Sequence, residues 1–199
     1  MQKELIFMNN HIDFYFDIIS PYAYIAYKNI IKINNIKFNF KPILLGGLHN
    51  LVEITAPALN KFKLKNMKND CELISKKNKI NFIWNSEFPI NSLYIMRGYL
   101  VIKENKKKDY LETFFDAYWK DDLDLSHEKN IIKMLEKLSI NHKEFFKDIA
   151  KKDVKDQLKN FTNEAFKKDI FGAPTFVVNN KIFWGQDRLE YALDEFYSN

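Results

Sequence analysis

The stretch Ile12-Asp13-Phe14-Tyr15-Phe16-Asp17-Ile18-Ile19-Ser20-Pro21-Tyr22 decides the reading of the fold. From His11 to Asp17 it is dense in β-branched and aromatic residues, which suit a pleated, half-buried surface and predict a strand. Ser20 followed by Pro21 predicts a helix start. A serine oxygen accepts from the free N–H groups of a first turn, and proline suits the first helical position. The helix is expected to run to about Lys32. Residues 36–43 alternate apolar and polar side chains and predict a second strand, ending at Gly46-Gly47. Strand, helix and strand at this spacing form a βαβ unit, whose strands are parallel.

Working outward, the β pattern returns only near the other end. Thr175-Phe176-Val177-Val178 predicts a strand, Asn179-Asn180 a tight turn, and Lys181-Ile182-Phe183-Trp184 the hairpin partner. Asp187 is expected to cap a last helix, with Glu190 completing a capping box. Between the two β regions, from about residue 60 to about 168, apolar residues recur at helical spacing, as in Ile131, Met134, Leu135 and Leu138. Asp124 or Ser126 is the expected cap of that helix, and Pro89 is expected to break the pattern. The fold class is therefore α/β: a thioredoxin-like core (βαβ…ββα) in residues 11–59 and 169–199, interrupted by an all-helical insertion in residues 60–168.

Composition narrows the function classes. A chain of 199 residues with 46% hydrophobic content can bury a sizeable core, and its 18 Phe and 10 Tyr predict an aromatic one. The formal charge of +5 is spread along the chain without a nucleic-acid-binding signature, so no nucleic-acid partner is expected. The single cysteine, Cys71, excludes an intrachain disulfide, a CxxC redox pair and a thiolate zinc cluster. His11, His49, His127 and His142 lack metal-ligand spacing, so no metal is expected. Asp13 and Asp17 share a strand face, which alone does not make a catalytic pair. The opening Met1-Gln2-Lys3-Glu4-Leu5-Ile6-Phe7 is too short an apolar run for a signal peptide, and no run reaches the roughly 18 apolar residues of a membrane span. A cytoplasmic, membrane-free protein is expected.

Scarce residues mark candidate working positions. Only five Gly and five Pro occur, and of 31 Lys and Arg side chains only Arg97 and Arg188 are arginine. Gly frees φ, Pro fixes it, and Arg supplies a planar fork that Lys cannot reproduce. Apart from Pro57, these residues gather at Ser20-Pro21-Tyr22, from Pro42 to Gly46-Gly47, from Pro89 to Arg97-Gly98, at Gly172-Ala173-Pro174 and at Gly185-Gln186-Asp187-Arg188. Both arginines are expected to make multi-donor contacts, Arg188 with a carboxylate near its own helix start.

A core of this kind places its reactive position at the start of the first helix, where Ser20 stands. Free N–H donors and a partial positive charge there favour an anion such as a thiolate. Ser20 cannot form a mixed disulfide, so the thiolate must come from a bound thiol. Pro174, after Gly172-Ala173 and before a strand, is expected to be cis and to leave the Ala173 backbone open to an extended peptide. Glutathione would satisfy both features, with Asp187 accepting from its amino group. The bland readings are that Ser20 and Asp187 are only helix caps.

Five segments carry a family resemblance. They are Asp13-Phe14-Tyr15-Phe16-Asp17 into Ser20-Pro21-Tyr22; Pro42-Ile43-Leu44-Leu45-Gly46-Gly47; Phe88-Pro89-Ile90-Asn91 with Arg97; Phe171-Gly172-Ala173-Pro174-Thr175-Phe176; and Phe183-Trp184-Gly185-Gln186-Asp187-Arg188-Leu189. The chain resembles 2-hydroxychromene-2-carboxylate isomerases and kappa-class glutathione transferases of the DsbA-like branch. The resemblance implies glutathione as cofactor, with Ser20 facing its sulfur. It implies that Ala173 and Pro174 pair with its backbone, that Trp184, Gly185, Gln186, Asp187 and Arg188 hold its γ-glutamyl end, and that Lys63 contacts it. It places Asn50 and Asn91 toward a small aromatic or electrophilic substrate and implies a homodimer. Many isomerases carry Lys where this chain has Asn50, and Gly-Asn and prolines where it has residues 51–57. The implied activity is glutathione-dependent cis–trans isomerisation; the alternatives are a kappa-like transferase or peroxidase, or a non-enzymatic peptide binder.

Overall fold

A computed structural model describes residues 11–198. The opening segment read above against a signal peptide lies outside the described residues, as does Asn199. Four strands, β1 (Ile12–Phe16), β2 (Phe38–Pro42), β3 (Thr175–Val178) and β4 (Lys181–Trp184), form one sheet in the order β2-β1-β3-β4. β1 and β2 run parallel, Ile12 beside Phe38 and Phe16 beside Pro42. A parallel pair needs a crossover, and α1 (Pro21–Ile30) supplies it. β3 pairs antiparallel with β1, and β4 antiparallel with β3. Asn179 and Asn180, at φ 50° and 62°, form the expected hairpin turn. Both take the left-handed conformation that asparagine tolerates.

Seven helices separate β2 from β3: α2 (Leu45–Leu51), α3 (Lys61–Lys77), α4 (Leu93–Val101), α5 (Lys107–Trp119), α6 (Glu128–Lys137), α7 (His142–Ile149) and α8 (Lys152–Lys167). A last helix, α9 (Leu189–Tyr197), closes the chain. Among the described residues, none from 60–168 enters the sheet. The helices share a continuous core with the sheet. Phe16 of β1 meets Tyr99 of α4 edge-on at 5.3 Å and Phe115 of α5 at 6.3 Å. Tyr27 of α1 stacks on Phe115 at 5.2 Å. No helix among the described residues is long and apolar enough to cross a membrane.

Trp119, at the end of α5, is fully buried and donates from Nε1 to the Ile18 carbonyl at 2.8 Å. That bond ties the helical segment to the loop leading into α1. Trp119→Phe keeps most of the apolar contact but leaves the Ile18 carbonyl without its partner. The expected cost is about 1–3 kcal/mol in urea unfolding; an unchanged midpoint would show that the tie adds nothing.

Several local expectations are corrected. Gly46 and Gly47 lie inside α2 instead of ending a strand. The cause is tertiary: Leu44 N–H donates to Thr162 Oγ1 at 3.0 Å and Leu45 N–H to Asp17 Oδ2 at 2.8 Å, so distant side chains satisfy the first donors of a glycine-containing helix. Residues 78–92 are not helical. Phe82, Trp84 and Phe88 there pack around Trp119 at 5.6, 5.7 and 5.6 Å, and this aromatic packing outweighs local periodicity. The expected caps of α6 and α9 are absent. Asp124 accepts from Ser126 instead, and a 3₁₀ turn at Gln186–Arg188 moves the first residue of α9 to Leu189, so Asp187 makes no cap bond. Arg97 makes no multi-donor contact among the described residues: its Nε is buried without a partner there. Arg188 pairs with a carboxylate as expected, Nη1 standing 2.8 Å from Asp187 Oδ2, but through that one nitrogen and not a multi-donor fork.

Candidate functional site

The site begins where β1 hands over to α1. Ser20 has extended backbone (φ −84°, ψ 115°), which suits a residue that flanks a helix without entering it. Its hydroxyl accepts from Ala23 N–H at 3.2 Å, making it the cap of α1. The same hydroxyl donates to the Ala173 carbonyl at 2.8 Å, across 153 residues of sequence. The Ala173–Pro174 peptide is cis, as expected. The Ala173 carbonyl, expected to be free, is therefore already paired, because the serine proton needs an acceptor once Ser20 is buried. The Ala173 and Tyr22 N–H groups have no partner among the described residues. Two donors thus remain at the start of α1, where the helix dipole is positive.

Asp17 joins them, and sequence reasoning missed its role. It is fully buried. Its carboxylate accepts from Ile19 N–H at 3.2 Å and from Leu45 N–H at 2.8 Å, and it bonds the Ser92 hydroxyl. Burial pushes its pKa up to about 6, and these hydrogen bonds oppose the rise without cancelling it. One signal was available: an acid directly after an aromatic strand and three residues before Ser20-Pro21. Asp17 links three segments around Ser20, namely the β1–α1 loop, the start of α2 and the residue before α4.

A cavity of about 780 Å³ opens at this junction. Ser20, Asn50, Lys63, Asn91, Ala173 and Trp184 all line it, so six of the expected positions converge from distant parts of the chain. Lys63 sits in the first turn of α3, where the Asn60 side chain accepts its amide at 3.1 Å; its ammonium group has no ion pair among the described residues. Asn91 has a second duty, accepting from Leu93 N–H at 3.0 Å at the start of α4. Trp184 is half exposed and packs on Phe171 at 4.7 Å. It lies so close to Gly172 that a Cβ there would come within 2.6 Å of Trp184 Nε1.

The remaining expected positions lie beside the cavity and not in its lining. Pro174 continues from Ala173, and its carbonyl accepts from Gly185 N–H at 3.0 Å. Gly185 has φ 118°, a conformation that requires glycine. Gln186, Asp187 and Arg188 form the 3₁₀ turn that follows, and the Arg188 guanidinium also stands 5.4 Å from the Tyr191 ring centre. Cys71 is buried, and burial pushes its thiol pKa well up, so it supplies no thiolate. Burial lowers the pKa of His49 in the cavity wall and favours neutral imidazole there. Among the described residues no group of His, Cys, Asp and Glu is suited to hold a metal ion. The arrangement can hold an anion at a helix start, between a serine hydroxyl, two open N–H groups and a lysine.

The DSBA-like thioredoxin domain matches residues 11–196. The chain is 24% identical over 184 residues to the 2-hydroxychromene-2-carboxylate isomerase of Pseudomonas putida, covering 89% of this chain and 90% of that one. It is 24% identical over 198 residues to glutathione S-transferase kappa 1 of Homo sapiens, covering 90% and 87%. Among solved structures, a 2-hydroxychromene-2-carboxylate isomerase superposes with a TM-score of 0.84 at 22% identity over 92% of each chain. The cytosolic disulfide reductase DsbM of Pseudomonas aeruginosa, solved with GSH, gives 0.66 at 11% identity over 94% of this chain and 95% of that one. The resemblance read from the five sequence segments thus extends along almost the whole chain, and the protein belongs to the DSBA-like thioredoxin domain family.

Proposed function

We propose that this protein is a glutathione-dependent cis–trans isomerase of the 2-hydroxychromene-2-carboxylate type. The observation that carries the reading is the Ser20–Ala173 junction at the mouth of α1, with no reactive cysteine beside it. A helix start of this kind favours a thiolate, and the buried, protonated Cys71 does not provide one. The residues present fit glutathione. Two open N–H groups suit carbonyl acceptors of an extended peptide, the unpaired Lys63 ammonium suits a carboxylate, and about 780 Å³ holds a tripeptide beside a small substrate. Relatives named as isomerases and a kappa-class transferase support an enzymatic role.

When bound, glutathione supplies a nucleophilic thiolate that adds reversibly to a conjugated double bond, so that the bond can rotate. The chain's own part is to bind and orient. Ser20 shares its proton between the Ala173 carbonyl and the sulfur position, and rotation of its hydroxyl switches the donor from one to the other. Lys63 and the Ala173 amide fix the peptide, while Asn50 and Asn91 face the substrate side. The Trp184 ring borders the γ-glutamyl end, and Gly185, Gln186, Asp187 and Arg188 support that end from the adjoining turn. Asn50, where many isomerases carry Lys, points to a substrate other than the hydroxychromene acid, aromatic or electrophilic in character. A cytoplasmic homodimer belongs to the same proposal.

The test is thiolate absorbance against pH, with glutathione saturating, for the wild type and Ser20→Ala. The variant is expected to raise the bound thiol's pKa, to lose about 0.5–2 kcal/mol of stability with its cap, and to turn over more slowly by less than about 10². Equal titration and equal turnover would reduce Ser20 to a cap. A kappa-like transferase, which the human relative favours as the second reading, would release a product heavier by one glutathione, whereas an isomer keeps the substrate's mass.

A further inference from the structure

A second cavity, of about 350 Å³, lies between α2, α4 and α8. Leu44 and Gly47 line both cavities and form the partition between them. Leu44, Leu51, Leu93 and Leu158 make the interior of the second cavity apolar. Its polar groups are mostly cationic or donors. Arg97 enters from α4, and Lys155, Lys159 and Asn163 follow one another at intervals of four along α8, on one helix face. The acid of the lining, Asp156, is ion-paired with Lys152. Arg97, Lys155 and Lys159 have no ion pair among the described residues, and the Asn163 amide has no hydrogen bond there.

Arg97 is the informative member. Its Nε is shielded from solvent and has no hydrogen-bond partner among the described residues, so a ligand in the cavity meets the two terminal amino groups of the guanidinium. A chain that otherwise uses lysine keeps arginine here, and a guanidinium offers two parallel donors that match a carboxylate. The geometry points to a second binding site, for a small organic acid whose apolar body packs on the four leucines and whose carboxylate pairs with Arg97. Lys155 and Lys159, both exposed, stand at its rim and add attraction that salt screens. An inorganic anion gains nothing from the leucines, and a neutral aromatic gains less than an acid from the three cations. The volume suits a single ring with one acid group.

Benzoate and its neutral analogue benzamide are the probes, titrated by calorimetry against the whole protein. Benzoate is expected to bind one-to-one and benzamide at least about tenfold more weakly. Arg97→Met should weaken benzoate by about 10–100-fold, and Arg97→Lys by less. Lys155→Ala with Lys159→Ala should weaken it a few-fold without touching the core, so this pair keeps the test valid if Arg97→Met does not fold. Saturating glutathione and Ser20→Ala should leave benzoate binding unchanged, because both act across the Leu44–Gly47 partition. Benzamide binding as tightly as benzoate, benzoate binding that survives Arg97→Met in a folded protein, or displacement by glutathione would each overturn the site.

Discussion

Gly98→Ala is expected to destabilise the protein by at least about 3 kcal/mol, through overpacking and a disturbed buried hydrogen bond. Gly98 lies in α4, where that helix meets α5 and α7. A Cβ there would stand 2.1 Å from the Tyr110 hydroxyl and 2.5 Å from Phe145 Cζ, both impossible as contacts. Neither ring can yield easily. Tyr110 is fully buried, its hydroxyl donates to the Ile95 carbonyl at 2.9 Å, and its ring sits 4.5 Å from Phe114; Phe145 is 2% exposed. One methyl group therefore forces two rings and a buried hydrogen bond apart. Alanine's better helix propensity returns only about 1 kcal/mol, so the steric term wins. For a chain of this size the melting temperature should fall by roughly 6–12 °C. A variant that melts with the wild type would mean that α4 and α7 can separate freely.

Gly98 and Arg97 are neighbours, and together they show what scarcity in the sequence could and could not reveal. In a chain poor in both residue types, each was marked as required. For Gly98 the requirement is steric and internal. For Arg97 no internal partner stands among the described residues, and the side chain lines a cavity instead. Scarcity identifies a constrained position without saying whether the constraint is met inside the molecule.

The legible parts of the fold rest on short-range physics. Ser20-Pro21 starts a helix because the cap and the fixed φ are local. Asn179-Asn180 turns a hairpin because both residues accept left-handed backbone. The illegible parts rest on partners far along the chain. α2 forms around two glycines because Asp17, 28 residues away, and Thr162, 118 residues away, receive its first donors. Nothing within residues 45–51 announces this. The aromatic knot of Phe82, Trp84, Phe88 and Trp119 likewise depends on α5 arriving beside residues 78–92. In the candidate site, the motif segments pointed to Ser20 and Ala173 and the family resemblance to Lys63, whereas the role of Asp17 became clear only when its burial and hydrogen bonds were known.

Asp17 yields the other large effect, a stability difference that changes with pH. An aspartate in the unfolded chain titrates near 3.8, and Asp17 in the fold titrates at about 6. Between these values the folded protein holds a proton that the unfolded chain has released. Its contribution is therefore fully present below pH 3.8 and is lost as pH rises through about 6. Two pK units correspond to about 3 kcal/mol. Asp17→Asn removes this titration, while every other carboxylate titrates in both proteins and cancels in the comparison. The variant also carries a fixed penalty of about 1–3 kcal/mol, because its amide NH₂ must face one of two donors, Ile19 N–H or Leu45 N–H. Urea unfolding at steps from pH 4 to pH 7 should show wild type more stable at pH 4, with its advantage shrinking by about 2 kcal/mol by pH 7. A constant gap would mean that Asp17 titrates normally despite its burial. The consequence reaches the site, because the carboxylate that loses its proton near pH 6 holds both the backbone before Ser20 and the first turn of α2. Ionised Asp17 accepts from Ile19 and Leu45 together, at the energetic expense of a buried charge. Protonation relieves that charge and turns one acceptor oxygen into a donor hydroxyl, so the bonds that join the β1–α1 loop to the first turn of α2 are weakest where the fold gains most from this group.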